Sequence, residues 1–136
     1  MKPLLIAKYA AIAGAASWAA KAVSMGLGQS QSTQASLLFL LGLFCCLVGA
    51  AAYGVAVTEG RPWAVRAAAG VGAVVGFAAF SAMTIAVLSA MGLSDTDHWA
   101  WGEANLWVSA LLLLVLTVRT ESERDRTRPE PTYVEL

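Results

Sequence analysis

The chain has 136 residues, 58% of them hydrophobic and only 13% charged, with nine Lys/Arg balancing nine Asp/Glu. An ordinary soluble domain carries about a quarter charged residues, so a solvated globule is the class this composition excludes. The net charge of zero says little by itself, because the placement of the charges carries the information, and no nucleic-acid partner is expected.

A membrane-spanning helix needs roughly 20 mostly apolar residues to cross about 30 Å of hydrocarbon. Four runs meet that length: Leu4 to Met25, Ser36 to Val57, Ala67 to Met91 and Ala100 to Val118. The expected class is an all-α, polytopic integral membrane protein, a four-transmembrane-helix bundle over residues 1–118 embedded in the lipid bilayer. The first run opens on Pro3, which a first helical turn tolerates, and stops at Gly26-Leu27-Gly28. A cleaved signal peptide is the competing reading. The run is longer than the usual 7–15-residue signal core and completes an even number of spans, which favours a retained helix.

The second run is Leu-rich in its first half and small in its second, from Gly49 through Gly54. Its Cys45 and Cys46 are adjacent. Neighbours on a helix point about 100° apart, so this is no disulfide and no spaced metal pair, but a pair of small hydrophobes. Thr58-Glu59-Gly60-Arg61-Pro62-Trp63 reads as a tight turn, with Trp63 at headgroup level. The third run holds Gly72-Ala73-Val74-Val75-Gly76; the first has Ala10-xxx-Gly14 and the second Ala50-xxx-Gly54. Small residues four apart let helix backbones approach closely. Packing within the bundle is the favoured reading of Gly14, Gly49, Gly54, Gly72 and Gly76, with self-association or another membrane protein at Gly72/Gly76 as the alternative. Residues 119–136 mix Arg with Asp and Glu and end in a Pro-containing stretch, so a largely disordered charged tail is expected.

Positive residues near membrane segments stay on the cytoplasmic side. Lys2 and Lys8, Arg61 and Arg66, and Arg119, Arg124, Arg126 and Arg128 all fall on one side of a four-span chain, while the loops around Gln29–Gln34 and Ser94–His98 contain no Lys or Arg. The expected topology is N-in/C-in in a cytoplasmic (inner) membrane. The Ala/Gly/Val-rich composition points weakly to a bacterial source.

Ionisable residues inside spans are costly and usually face the bundle interior and pair. Lys21 lies four residues before the end of helix one, and Glu103 three residues after the start of helix four. At about 1.5 Å per residue both sit roughly 5–6 Å below the outer boundary, with opposite charges at one depth. Lys21 shares a face with Ser17, Trp18 and Gly14; Glu103 shares one with Trp107, and Asn105 is nearby. The candidate site is therefore a Lys21–Glu103 ion pair clamping helices one and four, with a cation–π contact between the ammonium and Trp18 or Trp107. Independent snorkelling of the two side chains is the competing reading.

No catalytic set is visible. The lone His98 sits beside Asp95 and Asp97, and three ligands from one short loop rarely close a metal shell. No His lies within a span to hold a haem. The expected function is an accessory or scaffold membrane subunit without cofactor. The alternative is a small transporter or channel using a shallow outward-facing cavity at Lys21/Glu103. A membrane enzyme has no specific residue behind it.

Overall fold

The structure, a computed structural model, describes residues 2–28, 33–93 and 104–127. It is all helical over these residues apart from its turns: α1 (Pro3–Gly26), α2 (Thr33–Val57), α3 (Trp63–Ala90) and α4 (Ala104–Arg126). All four are long and apolar enough to cross a membrane.

The helices run past the apolar stretches that announced them, α3 and α4 by the most. α3 begins at Trp63, because Pro62 supplies a fixed φ of −52° ahead of the first turn and its carbonyl accepts the Arg66 amide at 3.1 Å. α4 continues two turns beyond Val118, to Arg126. The first part of the segment expected to be a largely disordered tail, residues 119–126, is helical. Its Glu, Arg and Ser contain no Gly or Pro to stop a helix, and Arg124 and Arg126 lie at the C-terminal end, where the helix dipole favours cations. Residues 128–136 lie outside the described residues.

The turns are set by local chemistry. At the end of α3, the Leu93 amide donates to Leu88 and the Gly92 amide to Ser89, both at 3.0 Å, with Gly92 at φ +70°. That left-handed residue ends the helix at little cost only as glycine. Between α2 and α3, the Arg61 amide donates to Thr58 at 3.0 Å around Gly60 at φ +85°, and the Thr58 hydroxyl caps back onto Gly54 at 2.9 Å.

The helices form a ring in which each neighbour is antiparallel. α1 packs most extensively on α2 and next on α4; α3 packs chiefly on α2 and lightly on α4. The core is built from small side chains. Ala11, Ala50 and Leu113 form one cluster and Trp18, Cys46 and Ala110 a second, with Phe77 packed against both. Ser109 and Thr117 are fully buried, and their hydroxyls donate to their own helix at Asn105 (2.6 Å) and Leu114 (2.8 Å), which removes the cost of an unsatisfied group. The outside is apolar: Leu5, Ile12, Leu37, Leu41, Phe44, Val71, Val75, Ile85, Leu111 and Val115 are all exposed.

Close approach is concentrated at the α1–α2 and α2–α3 seams. A Cβ on Gly14 would stand 2.5 Å from Cys46 Sγ, and one on Gly49 would stand 3.1 Å from Leu113 Cδ2. On Gly54 it would collide with the Ala69 carbonyl, and on Gly42 with the Trp18 indole. Gly72 and Gly76 differ. A Cβ there meets nothing within 4 Å among the described residues, so these two do not pack inside the bundle as the favoured reading held. The reason is rotational: the α3 side that meets α2 carries Gly70 and Ala73, and Gly72 and Gly76 are exposed.

Candidate functional site

The sequence points first to the Lys21 end. Trp18 is 2% exposed, and its indole N–H donates to the Phe39 carbonyl at 3.2 Å, tying α1 to α2. Ser17 is buried and donates to Ala13 at 2.8 Å within its own helix. Lys21 is half-buried, with Nζ 5.4 Å from the centre of the Phe39 ring. The aromatic partner is thus Phe39 on α2, rather than Trp18 or Trp107. Trp18 is buried among Cys46 and Ala110 with its N–H already committed, and Trp107 is 37% exposed on the outside of α4. Lys21 also borders an open cavity of about 380 Å³ with Ala35, Ser36, Phe39 and Leu40. Asn105 is half-buried, and its carbonyl accepts the Ser109 hydroxyl. Glu103 lies outside the described residues, as do Trp99, Trp101 and the Asp95–Asp97–His98 loop. The clamp itself therefore falls outside them as well.

The opposite end carries a network that sequence reasoning missed. Lys8 Nζ donates to Glu121 at 2.6 Å, joining α1 to α4. Arg124 donates to the Glu59 carboxylate at 2.8 Å and also to the Ala56 carbonyl, joining α4 to the α2–α3 turn. One turn earlier, the Tyr53 and Thr120 hydroxyls lie 3.3 Å apart. Lys2, Leu4, Leu5, Glu59, Glu121, Arg124 and Asp125 enclose a cavity of about 340 Å³. These contacts exist only because α4 continues past residue 118. The usable signal was spacing: Thr117, Glu121 and Arg124 recur at four and three residues, a helix face.

Among the described residues no three His, Cys, Asp or Glu side chains converge to hold a metal ion. Cys45 and Cys46 are free thiols, with Cys46 buried in the Trp18 cluster. A comparison with protein families, curated proteins and solved structures returns no match.

Proposed function

We propose that the chain is an integral membrane protein of a bacterial cytoplasmic membrane, with both termini in the cytoplasm, and that it works as an accessory or scaffold subunit binding another membrane protein. The observation that carries this reading is the state of α3. Of its 28 residues Gly70 is the one counted as buried, and Ala68, Gly72, Gly76 and Ala79 leave a shallow outward strip. Lipid tails fill such a strip without selectivity, whereas a partner helix gains close packing from it. The one-sided placement of Lys and Arg supports the orientation.

The transporter reading has less support. The middle of the bundle, between the Lys21 end and the Lys8–Glu121 end, is filled by Trp18, Cys46, Ala110, Ala11, Ala50 and Leu113, and the buried hydroxyls there, Ser17, Ser109 and Thr117, donate to carbonyls of their own helices. Ions need liganding groups or water along their path.

A photo-crosslinking residue placed at Gly72 tests the partner reading in intact cells, with the exposed Ile12 on α1 as control. One discrete protein adduct from position 72 and none from position 12 is expected; lipid adducts alone at both positions overturn the reading. A fluorescent reporter after Leu136 reads orientation in the same strain, and a dark, protease-protected fusion contradicts it.

Within this reading Lys21 and Glu103 clamp α1 to α4 near the outer face. The position of half-buried Lys21, with Nζ over the Phe39 ring, supports a lysine engaged within the bundle. Lys21→Glu and Glu103→Lys are each expected to lower the melting temperature in detergent, and the double exchange to restore most of it. Additive losses in the double variant would rule the clamp out.

A further inference from the structure

Besides the two charged ends, the bundle has an apolar groove on its side, where α3 leans away from α4. It measures about 340 Å³ and is lined by Tyr53 of α2, Ala73, Phe77 and Phe80 of α3, and Leu112 and Leu116 of α4. That volume is in the range of small-molecule sites. The groove has a polar edge toward the Lys/Arg-bearing end, where the Tyr53 and Thr120 hydroxyls meet.

By helix spacing, two arginines continue the groove-lining faces of α3 and α4 toward that end. Arg66 precedes Gly70, Ala73, Phe77 and Phe80 by four, seven, eleven and fourteen residues, so it lies on the α3 face that lines the groove. It sits about 10 Å above Ala73 along the axis. Its Nε is buried, with no hydrogen-bond partner among the described residues. A buried N–H left unpaired is costly, and a charged one more so. Arg119 follows Leu112 and Leu116 by seven and three residues, which puts it on the same face of α4, where it also lines a small opening with Ser122, Glu123 and Arg126. An apolar slot thus runs toward two cations, one holding an unspent donor. This is the chemistry of an amphiphile with an acidic head and a hydrocarbon tail. Basic pockets between membrane helices favour such lipids.

We propose that the groove holds an acyl chain of an anionic phospholipid, with the lipid phosphate bound between Arg66 and Arg119. The phosphate satisfies the Arg66 Nε, and guanidinium groups match phosphate oxygens with two parallel donors. The acyl chain lies along Ala73, Phe77 and Leu116, where it covers apolar surface that no helix of the bundle reaches. Glu123, one turn beyond Arg119, is exposed and lines the same small opening together with it.

The inference rests on reading the bundle as a membrane protein. Its test uses the full chain in detergent, with native mass spectrometry counting bound phosphatidylglycerol against phosphatidylcholine of identical chains. Preferential retention of one phosphatidylglycerol is expected. Arg66→Gln and Arg119→Gln should each weaken it about fivefold, with phosphatidylcholine unchanged. Gly76, at the rim of the outward strip, also lines the groove, and Gly76→Leu, introduced where a Cβ meets open space, should fill the groove and weaken both lipids while the melting temperature holds. Glu123→Gln should leave retention equal or stronger; a fall matching that of Arg66→Gln would make Glu123 the partner of Arg66 and overturn the site. Equal retention of both lipids by the unaltered chain also overturns it. A chain that stays monodisperse in buffer without detergent overturns the membrane reading, and the lipid site with it.

Discussion

Trp18→Ala is expected to destabilise the bundle by about 2–3 kcal/mol, read as the shift in a denaturant titration in micelles. In a water-soluble protein, burying a large side chain gains transfer free energy, but between helices in a bilayer, the setting proposed above, that term nearly vanishes, because lipid tails are as apolar as the core. What remains is dispersion and the cavity left behind, so the expectation falls below the 3–5 kcal/mol typical of Trp→Ala in soluble cores. Trp18 is 2% exposed and packs with Cys46 and Ala110, so its removal opens a void where α1, α2 and α4 meet. Its indole N–H also holds the Phe39 carbonyl, one residue whose ring lies under the Lys21 ammonium. Loosening at Trp18 should therefore spread to the Lys21 end. The internal control is Gly42, whose added Cβ would strike the indole. Gly42→Ala alone should be harmful, and in the Trp18→Ala background nearly neutral, since the atom it would hit is gone. Equal cost of Gly42→Ala in both backgrounds would place the strain elsewhere.

Gly54→Leu is expected to prevent α3 from docking on α2, abolishing a cooperative melt. A Cβ at this position would overlap the Ala69 carbonyl and stand 2.9 Å from the Ala73 Cβ. The obstacle is backbone, so no rotamer change relieves it and the two helices must separate. Overpacking typically costs about 1–3 kcal/mol, which sets the scale for Gly54→Ala; a leucine exceeds it. The other glycines give a rank order that geometry dictates. At Gly14 the neighbour is Cys46 Sγ, the end of a short side chain, and at Gly49 it is the Leu113 methyl at 3.1 Å, which has room to yield. Losses should fall in the order Gly54, Gly14, Gly49, with Gly72→Ala close to neutral in the isolated chain. A Gly72→Ala loss as large as that of Gly54→Ala would contradict the seam described here.

The glycines also mark how far sequence reading extends. Ala50-xxx-Gly54 and Gly72-xxx-Gly76 look alike as strings, and only the second is a strict GxxxG. In the folded bundle the weaker string makes the tight α2–α3 contact and the stronger one stays open. Spacing establishes which residues share a helix face; it carries no information about how the helix is rotated against its neighbours. The Lys21 site shows the same limit. The placement of Lys21 with Trp18 and Ser17 on one stretch of α1 follows from the numbering. That the ammonium meets Phe39 depends on the register between α1 and α2, which Gly42 and Trp18 fix together.

Two properties are determined by the chain before it folds. Four apolar runs of membrane-crossing length, separated by polar or glycine-containing turns, dictate four helices, because helix is what satisfies every backbone group without outside partners. The Lys and Arg that flank the apolar runs all fall on one side of the four-run order, before the first, between the second and third, and after the fourth. Tertiary structure alone decides the rest. Residues 119–126 are charged and, taken locally, read as a tail. They form helix because Glu121 and Arg124 reach Lys8, Glu59 and Ala56, partners between 65 and 113 residues away in sequence. The lateral groove likewise arises from three helices at once, where α3 leans on α2 and leaves α4. No local pattern encodes that gap, because it is set by how closely Gly54 and Gly70 allow two backbones to approach.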